Sequence, residues 1–179
     1  VQGVRANELA AKLLGDIKSE KAVKDLIVAL FMRTQRGEQL YTPIRKQLCR
    51  VGKPAVAPLV GVLTNDSNFS AIIKELQDSG KKIGLFDWQW QEGPELIQVL
   101  GDLRDPTAAK AVADSLAKPL NPPVGVDDRV LRMWQVSQQN RITMAMMSLW
   151  NIGTPEVVAT LKGVVTNSDN DAKQRLDTA

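Results

Sequence analysis

The only thiol in the 179-residue chain is Cys49, and there is no histidine to activate it. One cysteine cannot close an internal disulfide or build a zinc site on paired thiolates. Without histidine the commonest general base, the usual metal ligand and every Ser-His-Asp or Cys-His arrangement are gone. Cys49 stands beside Leu48, with Arg45 and Arg50 near it in sequence, and reads as a semi-buried structural thiol. Two carboxylate pairs remain, Asp127-Asp128 and Asp102-Asp105, both where helix caps are expected. No phosphate-binding glycine loop is present. These residues predict no catalytic group, no metal site and no cofactor.

Residue types suited to binding are more plentiful. Phe86, Trp88 and Trp90 are three of the eight aromatics and alternate within five residues. In extended backbone all three point to one side. They form either a ridge offered to a partner, as tryptophan often is, or a plug in a groove between helices, with Trp88 inward and Trp90 partly exposed. Arg33, Arg36, Arg45, Lys46, Arg50 and Lys53 make a second candidate. Residues 1–66 hold 11 Lys/Arg against 6 Asp/Glu, a net of +5, whereas residues 67–179 hold 12 against 14, a net of −2. A cluster of this kind is either a solvated helix face or a patch for phosphates or an acidic protein.

The elements that must carry these groups repeat. Four segments align: "LGDIKSEKAVKDL" from Leu14, "LCRVGKPAVAPL" from Leu48, "LGDLRDPTAAKAV" from Leu100 and "LWNIGTPEVVATL" from Leu149. Ahead of each turn, apolar residues recur at helical spacing: Ala10, Leu14, Ile17; Ile44, Leu48, Val51; Leu96, Leu100, Leu103; Ala145, Leu149, Ile152. Gly52 and Gly153 suit a helix end, with Lys18 and Arg104 in their place elsewhere. Pro54, Pro106 and Pro155 suit the first turn of a second helix. That helix carries Ala22, Leu26, Leu30; Ala55, Leu59, Leu63; Ala108, Val112, Leu116; and Val157, Leu161, Val165. Two amphipathic helices cannot bury both apolar faces alone, so the pairs must stack.

"LGDLRDPTAAKAV" and "VGKPAVAPLVGVL" resemble the HEAT-like repeats of the phycobilin-lyase type. The resemblance implies an all-α fold, an α-solenoid of about four helix pairs with two insertions. The repeats fall at about 6–33, 42–64, 94–117 and 128–166 of one domain covering 1–179. Cys49 and Trp150 replace the repeat's first glycine, which predicts bulkier packing at those helices. The concave surface of such an array is lined by second helices, where Lys21, Lys24, Lys110, Asp114, Glu156 and Thr160 are expected exposed.

The insertions interrupt the repeat at two joints. After repeat two, Asp66, Ser67 or Asn68 is expected to cap a short helix through Leu76, closed by Ser79-Gly80. After repeat three, "AKPLNPPVGVDD" reads as a loop, and Asp127 or Asp128 caps a long helix toward Trp150. Trp134, Met133, Met144, Met146 and Met147 sit on that helix as core filler or as an adaptable binding surface. "DLIVALFM" in repeat one is apolar nearly all round and requires cover from another segment or a partner.

Composition frames the function. The chain is 44% hydrophobic and 24% charged, with net charge +3, an ordinary globular balance. No run approaches the roughly 18 apolar residues of a membrane span. The start at Val1 and a cut-short helix pattern at the end lead us to expect a piece of a longer chain or a processed protein. The cytoplasm is the marginal choice of compartment, with a periplasmic protein or processed lipoprotein left open. The reading is a non-catalytic scaffold or adaptor that binds proteins within a larger assembly, with no assigned oligomeric state. A nucleic-acid-binding solenoid is the alternative, and a bilin-lyase-type enzyme stands behind both.

Overall fold

The computed structural model describes residues 2–18, 20–32, 40–78, 92–117, 122, 124–155, 157–159 and 162. Those residues are almost wholly helical, with no strand among them. Among the described residues eight α-helices follow one another: α1 (Gln2–Ile17), α2 (Glu20–Leu30), α3 (Tyr41–Val51), α4 (Val56–Thr64), α5 (Asp66–Asp78), α6 (Glu92–Leu103), α7 (Ala109–Ala117) and α8 (Asp128–Ile152). Short 3-10 turns at Lys53–Ala55 and Pro106–Ala108 lead into α4 and α7 and hold Pro54 and Pro106, just ahead of the helices they were expected to begin.

Contacts between elements follow the order of the pairs. α1 packs on α3, α3 on α6 and α6 on α8, while α2 packs on α4 and α4 on α7. Cross contacts of α2 with α3, α4 with α6 and α7 with α8 tie the two rows together. Between the rows lie Leu26, Leu48, Leu59, Leu100, Val112 and Leu149, each without accessible surface. The turns explain why each pair reverses. Four residues after each repeat's leading leucine stand Lys18, Gly52, Arg104 and Gly153, all with positive φ, at 52°, 75°, 53° and 64°. Glycine adopts this conformation freely, whereas Lys18 and Arg104 hold it against a steric cost. Asp105 then accepts from Thr107 N, and Thr154 Oγ1 accepts from Val157 N, so both third and fourth turns are capped by side chains.

Three details of the expected register change. In α1 the buried positions are Ala11 and Gly15, with Leu14 half-buried, whereas Ala10 and Ile17 are exposed. Among the described residues α1 has a first-helix neighbour, α3, on one side, and its second apolar stripe is exposed. The cap of α5 is Asn65, one residue earlier than expected, whose Oδ1 accepts from Ser67 N. α5 also supplies the cover that "DLIVALFM" required. It buries Phe69, Ile72, Ile73 and Leu76, packs on α2 and α4, and sets Phe69 edge-on to Phe31 with ring centroids 5.1 Å apart. Trp150 does not thicken the packing: it is 79% exposed.

Candidate functional site

Two members of the basic cluster, Arg45 and Arg50, are engaged by carboxylates. On α3, Arg45 grips Asp102 of α6 through two bonds, Nε to Oδ2 at 2.5 Å and Nη2 to Oδ1 at 2.9 Å. Both side chains are less than a third exposed. Their paired, planar geometry makes them a joint between helices rather than a free cation. Asp102 therefore sits in no helix cap, unlike Asp105 and Asp127, which do cap. Arg50 reaches Asp16 of α1 at 2.9 Å, and both are partly exposed. Lys46 and Lys53 are exposed, and Arg33 and Arg36 lie outside the described residues.

The same joint fixes Cys49. Its Sγ lies 3.8 Å from Asp102 Oδ2. Burial, helped by that carboxylate, pushes the thiol up to about 11, so at neutral pH it is a protonated, weak nucleophile. Tyr41 completes the seam by donating from its hydroxyl to Gln98 Oε1, and burial raises its phenol above the ordinary value.

Further along the array a cleft of about 430 Å³ opens between the start of α6 and the first half of α8. Pro94, Met133 and Val136 give it an apolar wall, and Glu95, Arg132, Ser137 and Asn140 give it polar edges. Glu95 is mostly enclosed, and its Oε2 is buried with no hydrogen-bond partner among the described residues. Burial pushes its carboxyl up to about 7 against the pull of a bond from its own backbone N–H. Its neighbour Gly93 lies against Arg141, whose guanidinium donates to Ser115 O and Gln138 Oε1. Nothing in the sequence marked this cleft, because its two walls are some forty residues apart.

The two ends of the first-helix row carry a different surface. On α1, Leu9, Leu13 and Ile17 are 58%, 55% and 61% exposed and share one stripe at i, i+4, i+8. On α8, Val136, Met147 and Trp150 are all more than half exposed at i, i+11, i+14, again one stripe. Interior joints show what these positions do when covered. A Cβ on Gly15, the residue after Leu14, would fall 2.7 Å from Gln47 Oε1 of α3. A Cβ on Gly101, after Leu100, would fall 2.6 Å from the Cα of Ser148 on α8. The residue after the leading leucine thus faces the next first helix, and the residue before it faces the previous one. Trp150 and Leu13 occupy these two positions at the ends, where the described residues offer no neighbour. Small residues at the interior contacts were the available signal for Trp150.

Lys21, Lys24, Lys110 and Asp114 are exposed on α2 and α7, and Lys110 pairs with Asp114 at 2.6 Å one turn away. Phe86, Trp88, Trp90, Glu156, Thr160, Leu161 and Val165 lie outside the described residues. On α8, Met144 packs against the core, Met133 lines the cleft and Met147 is exposed. Among the described residues no three His, Cys, Asp or Glu side chains gather as a metal site, and no helix is long and apolar enough to cross a membrane. No family model matches the chain, and no curated protein or solved structure matches it at a significant level.

Proposed function

We propose that the chain is a HEAT-like α-solenoid of four helix pairs that acts as a non-catalytic protein-binding scaffold. The ordered contacts between first helices, the shared positive-φ residue four positions after each leading leucine, and the two-row core support the solenoid reading. One observation carries the binding reading: large apolar side chains stand exposed in rows on α1 and α8 at positions that interior helices bury against a neighbour. Rows of this kind on an ordered helix mark contact surfaces more often than isolated exposed residues do. Tryptophan at the centre of such a surface is a common hot spot. The nucleic-acid reading loses support, because Arg45 and Arg50 are already paired with carboxylates.

The test is site-specific photo-crosslinking in the natural full-length protein within its own cells. A crosslinker at position 13 or 150 is expected to trap a discrete protein, and trapping from the neighbouring exposed positions 9 and 147 is expected to be lost on Leu13→Ser and Trp150→Ala respectively. Trapping only from positions 21 and 110 would move the contact to the second-helix surface. Trapping of nucleic acid instead would replace this reading with the alternative.

A further inference from the structure

The interior of a folded chain seldom leaves a carboxylate oxygen without a partner, since an unmade bond there costs more than a made one gains. Glu95 breaks that pattern at the wall of the α6–α8 cleft. One of its oxygens is used by the residue's own backbone N–H, a local bond at the start of α6. The other has no donor among the described residues, although the cleft beside it is wide enough for a side chain.

The charged groups around it do not supply one. From α3, Tyr41 gives its proton to Gln98. From α8, Arg141 is turned to Ser115 and Gln138, and Arg132 lines the cleft with its side chain exposed to solvent. No cation lowers the Glu95 carboxyl, which is shifted by burial alone against its own backbone bond. The apolar wall is formed by Pro94, Met133 and Val136, and Ser137 and Asn140 stand at the same opening. A ligand that fits must therefore be apolar along its length and a strong, positively charged donor at its tip. Lysine and arginine side chains have this build: a methylene stem that prefers apolar surface and a cationic head that does not. The terminal torsion of a glutamate is soft, so its carboxylate can turn toward such a head without backbone movement.

We infer that the α6–α8 cleft is a binding site for a lysine or arginine side chain of a partner protein, with the stem along Met133 and Val136 and the head on Glu95. This deepens the scaffold reading by naming what one of its surfaces would hold. It rests on that reading only for the source of the side chain, since the cleft's preference can be measured without any partner.

The experiment titrates the folded protein, labelled at its methionine methyls, with n-butylammonium and n-butylguanidinium, and uses n-butanol as a neutral stem of the same length. The Met133 methyl resonance, assigned through Met133→Leu, is expected to shift saturably with both cations and at least tenfold more weakly with the alcohol. Because Glu95 ionises near pH 7, cation affinity should rise about tenfold between pH 6 and pH 8. Glu95→Gln should remove that rise and lower affinity about tenfold at pH 8. Equal binding of cation and alcohol, or an unchanged titration in Glu95→Gln, overturns the assignment. Either result leaves the crosslinking from positions 13 and 150 untouched, so this site and the scaffold reading fail separately.

Discussion

On α8, Ser148 and Trp150 are two residues apart and do opposite things. Ser148 is buried against α6, where Gly101 lets the two backbones close in and Ser148 Oγ donates to Ile97 O at 2.9 Å. Trp150 stands on the other side of the leading leucine and is almost fully exposed. One helix thus carries a covered position and an exposed one on either side of Leu149. Gly15 and Gly101 admit a neighbouring helix at close range, whereas Trp150 in the equivalent place has no helix against it among the described residues.

The sharpest way to break this contrast is to damage the interior. Leu48→Ala and Leu100→Ala each remove a side chain with no accessible surface, and each should cost about 2–5 kcal/mol in denaturant melts. Near-neutral results would mean that the repeat register is wrong. Gly101→Ala tests the joint itself. Its new methyl would meet the Ser148 backbone, which cannot swing aside, so a loss of roughly 1–3 kcal/mol is expected. The same change at Gly61, which has only the Asn68 amide nitrogen at 3.8 Å nearby, should not be penalised by contact.

Glu95 offers a pH handle on the same α6–α8 joint. Its carboxyl titrates near 7 when folded against an ordinary 4.5. Between these values the folded state holds the proton and the unfolded state releases it. Stability should therefore fall as pH rises from about 4.5 to about 7 and level off above, by on the order of 1–3 kcal/mol. Glu95→Gln should flatten that slope in thermal melts, and a slope retained by the variant would assign the effect elsewhere.

A smaller effect is expected at Arg45–Asp102. The pair is partly screened by solvent, so a double-mutant cycle with alanine should give a coupling of about 1 kcal/mol. Reversing the charge at Arg45, Lys46 and Arg50 together would set a glutamate against Asp102, so that triple change disturbs the α3–α6 joint as well as the surface charge. Lys46→Glu by itself is the cleaner probe of surface charge.

Much of this was legible in the chain. The leading leucines and their turns announce themselves because helical spacing and left-handed caps are local properties, written within a dozen residues. α1 misled by one residue because it carries two apolar stripes, Ala11–Gly15 and Leu9–Leu13–Ile17, and periodicity cannot say which one has a neighbour. The role of α5 was invisible for a related reason: its apolar face is plain, but its target on α2 is some forty residues back. Arg45–Asp102 and the Glu95 cleft are likewise products of distant segments meeting. Charge counts treated Arg45 as free, whereas the fold pairs it.

The last and smallest stability effect belongs to the ends. Leu13→Ser and Trp150→Ala remove large apolar groups that water already reaches, so each should change unfolding free energy by no more than about 0.5 kcal/mol. The same two changes are expected to abolish crosslinking to the partner, with losses of roughly 2 kcal/mol or more in its binding where the residue is a hot spot. This combination separates a contact surface from a core. If Trp150→Ala instead lowers the melting temperature as much as Leu100→Ala does, the indole is covered in solution and α8 does not end in an open face. If both variants are neutral in stability and in binding, the exposed rows are tolerated surface, and the second-helix face with Lys21, Lys24, Lys110 and Asp114 becomes the place to look. Measuring both properties on the same preparations is what makes each outcome decisive, because a folding defect and a binding defect would otherwise give the same loss of partner.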